Sequence, residues 1–247
     1  MQDGKLNVRA VERALDILLC FTSDSNLAMT EIAERTELHK STVHRMLSTL
    51  EAKGFVERDR ASDRYHLGMR VWELAANLSQ SDDPAVIWLP EMERLRDALG
   101  ETVSLYVRDG KERIRIQAVQ SNQAVRRVAP VGVRLPLYVG ASGKVLIAYA
   151  DPLEQDMLMR EADASGVIDP QRFREQLEEI RRIGYATSTE EREQGAAAVS
   201  APIFNHAGKL AGALAVSGPA GRFTMDIMRQ CAPQIMESAL RMGTMLR

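Results

Sequence analysis

Across 247 residues the chain carries 32 Lys and Arg against 34 Asp and Glu, a net charge of −2, and 45% of it is apolar. This length supports one large domain or two smaller ones, each with a core, and the apolar and charged fractions are those of a soluble globular protein. No apolar run approaches the ~18 residues that span a bilayer, and MQDGKLNVRA at the start has no apolar signal core, so a cytoplasmic protein with no membrane partner is expected.

Two cysteines, Cys20 and Cys231, are too few for a disulfide framework. With four scattered histidines they make no metal site either, so buried free thiols are expected and no metal or other cofactor. The first 70 residues hold eleven basic and eleven acidic side chains. Net charge is therefore silent about nucleic acid, and any such function rests on where the charges sit.

VRAVERALDILLCF, residues 8 to 21, spaces Val8, Val11, Leu15, Leu18 and Leu19 as one face of an amphipathic helix, and TSDSN breaks it. AMTEIAERT predicts a short helix with Thr30 as N-cap and Ile32 and Ala33 inward. After ELH, KSTVHRMLSTLEAKG predicts a second helix packed through Val43, Met46, Leu47 and Leu50, with Gly54 as its left-handed stop. Two helices joined by so short a turn predict a helix-turn-helix. FVERD and RYHLG around the tip RAS read as a hairpin, which completes a winged helix. MRVWELAANLS is a further helix, ended by SQSDDP. These limits divide the chain into a winged helix-turn-helix over 1–68, a linker helix over 69–83 and a second domain over 84–247.

In the second domain PAVIWLPEMERLRDALG is a helix closed by Gly100. TVSLYVRDGKERIRIQAV is a hairpin in which Val103, Leu105 and Val107 alternate inward, Asp109-Gly110 turns, and Ile114, Ile116 and Ala118 alternate back. Residues 131–139 add a short strand, ASGKVLIAYA and PLEQDMLMREA two helices, and PQRFREQLEEIRRIG a strongly amphipathic one. YATST is a strand. AAAVSAPIF and KLAGALAVSG are apolar strands turning at NHAG, and a Met-rich helix ends the chain. Irregular alternation with several hairpins predicts an α+β domain around an antiparallel sheet.

The stretch LHKSTVHRML mixes core residues with small hydroxyls and cations. The second helix of a helix-turn-helix packs by one stripe and reads the major groove by the other. Here the reading stripe is Ser41, Thr42, Arg45, Ser48 and Thr49, with Lys40 and His44 beside it. Arg can grip guanine through two hydrogen bonds, Thr can meet a thymine methyl, and the helix N-terminus suits a phosphate. No acidic residue lies between 38 and 50. On the hairpin Arg58, Arg60 and Arg64 are placed for phosphate or minor-groove contact. The competing reading is a solvated helix flank, and it is the order of helix, turn, cationic helix and wing that outweighs it.

VERALDILLCF, then LAMTEIAERTELHKSTVHRMLSTLEAKGFVERD and RYHLG, resembles the DNA-binding half of the IclR family of bacterial transcriptional regulators. LPLYVGASGKVLIAY and GAAAVSAPIFNHAGKLAGALAVSGPAGRFT resemble its second half, so the likeness covers nearly the whole chain. It implies a winged helix, a linker helix and a GAF-like effector-binding domain, in a homodimer or homotetramer bound to double-stranded operator DNA. It also implies an effector pocket at Arg127, Leu135, Ala141, Ser142, Ser188, Ala198, Ala215 and Ser217. In members that bind small oxo-acids, a cysteine commonly stands at the place of Ala198 and a serine at that of Ala215. Alanine at both makes the pocket wider and drier and points to an organic acid larger than glyoxylate or pyruvate, aromatic or branched. Arg127, if it turns inward, would pair with the carboxylate; its alternative is a strand-edge charge in solvent. Gly143 lies at a helix N-terminus, a seat for the same carboxylate.

GASGK lacks the spacing of a phosphate loop, so Lys144 is expected to meet an acidic partner rather than a nucleotide. An enzyme of GAF-like type, with the winged helix used for protein contacts, is the alternative function. Catalysis would need a base beside Ser142 or Ser217, and His206, the second domain's sole histidine, falls in a turn. The expectation is thus a regulator with no catalytic residues. Its first helix, and Val71, Trp72, Leu74, Ala75 and Leu78 of the linker helix, would supply dimer contacts, and the linker would carry the effector's influence to the DNA-binding domains.

Overall fold

A computed structural model describes residues 8–78, 84–126, 130–164, 166 and 168–245. It separates the chain into two compact units, Met1–Ser81 and Asp82–Arg247.

The first unit starts with α1 (Arg9–Leu19), then a single 3-10 turn, β1 (Leu27–Ala28), α2 (Met29–Thr36) and α3 (Lys40–Ala52). The hairpin of β2 (Val56–Asp59) and β3 (Arg64–Leu67) follows, with β1 on the other side of β3 in the order β1-β3-β2. Ile17, Leu27, Ile32, Val43, Leu47, Val56 and Tyr65 form its core. The α2–α3 turn pivots on Glu37, whose φ of 53° is left-handed. Gly54, at φ 76°, lets the chain leave α3 for the wing without the steric cost a Cβ would bring. α4 (Met69–Leu78) leads out of the wing, tied back by Gly68 N–H to Phe55 O (2.9 Å) and Arg70 N–H to Gly54 O (3.1 Å).

Three expectations change here. Thr30 does not cap α2. The helix begins at Met29, and the Glu31 carboxylate reaches back to accept from the Ala28 N–H at 2.6 Å. Of the apolar stripe expected to pack α1, only Leu18 turns to the core, beside Ala14, Ile17 and Phe21. Val8, Val11, Leu15 and Leu19 are exposed. Cys20 is half-buried rather than buried, as is Cys231 in the second unit.

The second unit opens with α5 (Pro84–Ile87) and α6 (Leu89–Leu99), so the single helix expected there is interrupted at Trp88. A six-stranded antiparallel sheet follows: β4 (Thr102–Asp109), β5 (Glu112–Val119), β6 (Arg134–Pro136), β7 (Ala186–Thr189), β8 (Ala196–Phe204) and β9 (Leu210–Pro219), in the order β6-β5-β4-β9-β8-β7. Between β6 and β7 run α7 (Ala141–Ala148), α8 (Pro152–Ala164) and α9 (Pro170–Ile183), and α10 (Met225–Met245) closes the chain.

Both faces of the sheet are covered, which explains why β4 and β9 are buried along most of their length instead of alternating. One face packs Val103, Leu105, Val199 and Val216 on α6 and α10 through Met92, Leu95, Met228 and Ile235. The other packs Tyr106, Ala213 and Ala215 on α7 and α9 through Val145, Leu146, Phe173 and Leu177. α6 and α10 are also joined by Trp88 Nε1–H to Met242 O (2.6 Å) and by Glu91, which accepts from Arg94 (2.7 Å) and Arg241 (2.8 Å). On β5 the buried side chains are not the expected Ile114, Ile116 and Ala118, which are half-buried, but Arg113, Arg115 and Val119.

Candidate nucleic-acid surface and effector cavity

On α3 the buried stripe is Val43, Leu47 and Leu50. Lys40, Ser41, His44, Arg45, Ser48 and Thr49 are exposed, in rows three and four residues apart on the outer face, while Thr42 is half-buried at the margin. The first turn of α3 contains no acidic residue. Ser48 and Thr49 donate their hydroxyl protons to the carbonyls of His44 (2.9 Å) and Arg45 (3.0 Å), which leaves the hydroxyl oxygens facing outward as acceptors.

The wing arginines divide by role. Arg64 donates to Glu31 (2.7 Å) and to Asn26 O (3.0 Å), fastening β3 to the start of α2. Arg58 pairs with Asp63 and lies over the Tyr65 ring, 5.7 Å from its centre. Arg60 is exposed at the tip of the wing.

The second unit holds a cavity between the sheet and the start of α7, with about 490 Å³ of atom-free space including its mouth. Strand register builds one wall: Ser188 pairs with Ala198 and Ala198 with Ser217, so three neighbouring strands present these side chains in one row. Ala215, two residues along β9, shares that face. Leu135 of β6 and Ala141 and Ser142 of α7 complete the set. Seven of the eight residues expected in a pocket thus line one cavity, and Arg127 lies outside the described residues.

Among the further lining residues that went unseen in the sequence are Tyr106, Arg113, Glu191, Arg192 and Glu193. Arg113 is 3% exposed. It donates Nη1 to Pro136 O and stacks 5.6 Å from the centre of the Tyr106 ring. Among the described residues its Nε has no hydrogen-bond partner. Burial pushes the guanidinium down to about 10, so it stays cationic at neutral pH. Arg115, next on the same face of β5, donates to Ser104 Oγ and lies 5.8 Å from the same ring.

Glycine shapes the floor of the cavity. A Cβ on Gly143 would sit 2.0 Å from Leu137 O and 2.5 Å from Arg113 Nη1, so only glycine lets α7 approach this closely. Gly140, at the N-cap of α7, has no side chain to cap the first amides of that helix. Lys144, as expected, meets an acid: its Nζ lies 2.5 Å from Glu191 Oε1, and Glu191 Oε2 accepts from Gly140 N–H at 2.9 Å. Among the described residues the lining contains no imidazole or thiol to activate Ser142 or Ser217, and His206 instead meets Thr244 O at 3.0 Å. Among the described residues no group of acidic, His or Cys side chains could hold a metal, and no helix is long and apolar enough to cross a membrane.

A winged helix-turn-helix with a cation-lined reading helix, followed by a cavity-bearing antiparallel-sheet domain, defines the class of DNA-binding transcriptional regulators with a sensory domain. Residues 10–60 match the IclR helix-turn-helix domain and residues 80–243 the bacterial transcriptional regulator IclR C-terminal domain. The chain belongs to the IclR family of bacterial transcriptional regulators. It is 33% identical to the HTH-type transcriptional regulator BhcR of Paracoccus denitrificans over 94% of this chain and 85% of that one. It is 30% identical to the HTH-type transcriptional repressor AllR of Escherichia coli, over 88% and 83%. Among solved structures, an IclR homologue of Microbacterium hydrocarbonoxydans complexed with 4-hydroxybenzoate superposes with a TM-score of 0.83 at 26% identity, over 96% of this chain and 99% of that one. These relatives are regulators, not enzymes, which decides between the two functions considered from sequence.

Proposed function

We propose that this regulator binds operator DNA as a homodimer or as a homotetramer built from two dimers in the cytoplasm, and that a small organic acid in the sheet–α7 cavity modulates that binding. Lys40, Ser41, Thr42, His44, Arg45 and Ser48 form the DNA surface, with Arg60 and, less directly, Arg58 and Arg64 on the wing. The observation that carries the DNA reading is the outer face of α3, where cations and hydroxyls are exposed and acids are absent from the first turn.

The effector reading rests on a cavity framed by small side chains, Ala141, Ala198 and Ala215, beside three serines, Ser142, Ser188 and Ser217. Small residues leave room for an apolar body and hydroxyls orient it. The bound 4-hydroxybenzoate of the Microbacterium relative supports an aromatic acid as occupant. For dimer contacts, α1 exposes Val8, Val11, Leu15 and Leu19, and α4 exposes Met69, Trp72 and Leu74. Of the other linker residues named from sequence, Val71 and Ala75 are half-buried, and the Leu78 side chain and residues 79–83 lie outside the described residues.

Replacing Arg45 and Thr42 together with Ala tests the DNA surface in a mobility-shift titration on the DNA upstream of the gene. Loss of a bidentate base contact costs about 1–3 kcal/mol, roughly 5- to 150-fold in affinity. Unchanged binding by the double variant removes α3 as the reading helix.

A further inference from the structure

Among the described residues Arg113 is the one cavity side chain whose charge the fold leaves unanswered. Its neighbours are a carbonyl, an aromatic ring and the first turn of α7. The carboxylate acting on it electrostatically, Glu191, is already held by Lys144 and the Gly140 N–H. Arg192, at the mouth, pairs with Glu193 at 3.3 Å. A guanidinium in this position loses its water without gaining an anion, a cost that a folded protein avoids unless something else supplies the negative charge.

We infer that Arg113 is the charge-recognising residue of the cavity and that its ligand carries a single carboxylate on an apolar body. Resting on the effector reading above, this specifies how the acid is held and how many charges it bears. The carboxylate sits between the Arg113 guanidinium and the amides at the start of α7, where a charge-assisted hydrogen bond and the helix terminus act together. Ser142, on that turn, supplies a hydroxyl donor, and Tyr106, Leu135 and the alanines surround the body. Among the described residues the cavity has one free cation, which admits one negative charge. A second carboxylate at the mouth would meet Glu191 and Glu193, so diacids are rejected.

Calorimetry on the full-length protein provides the test, with benzoate, 4-hydroxybenzoate and isovalerate, the amide of each, and the diacids succinate and phthalate. At least one monoacid binds in the millimolar range or tighter, and its amide binds about 10- to 100-fold more weakly, the factor expected for a hydrogen bond to a charged group. Arg113→Met lowers acid affinity by the same factor and leaves the amide unchanged, so the preference collapses. Arg113→Gln does likewise if the Met variant folds poorly, and Arg113→Lys keeps part of the preference. Amides binding as well as acids, diacids matching monoacids, no monoacid binding at millimolar concentration, or a preference that survives both neutral variants overturns the assignment. Ala198→Phe separates this from the broader reading. If it leaves acid binding intact, the ligand lies outside the cavity and the effector site falls. If it blocks binding while the Arg113 variants keep the acid preference, only the role of Arg113 falls.

Discussion

Single residues in this protein show how burial and charge trade against each other. Glu91 is 7% exposed. Burial opposes its ionisation, but hydrogen bonds from Arg94, Arg241 and Ser238 overcome that and hold its carboxyl at about 2, against 4.5 ordinarily. A carboxyl depressed on folding stabilises the native state fully above its unfolded value, and that stability drains away as pH falls from 4.5 towards 2. Glu91→Gln should therefore destabilise the effector domain by about 2–3 kcal/mol at neutral pH, discounted below the usual cost of a broken buried pair because both arginines are partly exposed. Urea unfolding at pH 7 and at pH 3 checks it: the gap to the wild type narrows in acid. Arg113 is the opposite case, a buried charge with a vacant donor, and sequence alone hid it. ERIRIQAV offers Ile114 and Ile116 as the inward set, and period-two alternation assigns the arginines to solvent. That rule assumes one wet face, and here α7 and α9 cover the second face. By contrast Ser188, Ala198, Ser217 and Leu135 were reachable because the likeness to relatives fixes positions along strands, which share one register.

At the scale of elements, helix starts and packing faces tell apart what local pattern can and cannot reveal. The helix-turn-helix, the wing, the Asp109-Gly110 turn and the terminal helix follow from periodicity and turn residues. β1 does not, because two residues carry no alternation. Nor does the start of α2, set by Glu31 reaching back over one turn to Ala28 while also receiving Arg64. One carboxylate thus joins a helix cap to the hairpin. Glu31→Ala should cost the DNA-binding unit about 1–2 kcal/mol, most of it from the cap and little from the exposed ion pair. Its thermal unfolding should shift while ligand binding to the second unit stays unchanged; equal loss in both would refute the local assignment. α1 is apolar on two sides, and sequence cannot say which meets its own core. Ile17 and Phe21 pack inward, and the remaining stripe of Val8, Val11, Leu15 and Leu19 stays exposed. Under the proposed dimer, such a row on a surface helix is the face expected to meet the partner. Leu15→Glu with Leu19→Glu should lower the mass measured by light scattering without unfolding the unit, and an unchanged mass would free that stripe of any role in assembly.

For the whole molecule, regulation demands more than two working sites. A ligand shifts DNA binding only by the ratio of its affinities for the DNA-bound and DNA-free arrangements, and that coupling is reciprocal. Typical couplings of about 1–3 kcal/mol correspond to 5- to 150-fold. Two reading helices of a dimer must also meet successive major grooves, roughly 34 Å apart on one face of the duplex. Under the proposed dimer, an operator with two half-sites one helical turn apart follows, and inserting half a turn between them should reduce affinity to that of a single half-site. The same DNA exposes the coupling. Acid affinity measured by calorimetry with the two-half-site operator saturating should differ from that of the free protein by the same factor by which the acid changes operator affinity. With half-turn spacing, only one reading helix can engage, the DNA no longer constrains the pair, and that factor should fall towards one. A ligand whose affinity ignores operator occupancy occupies the cavity without regulating anything, however tightly it binds.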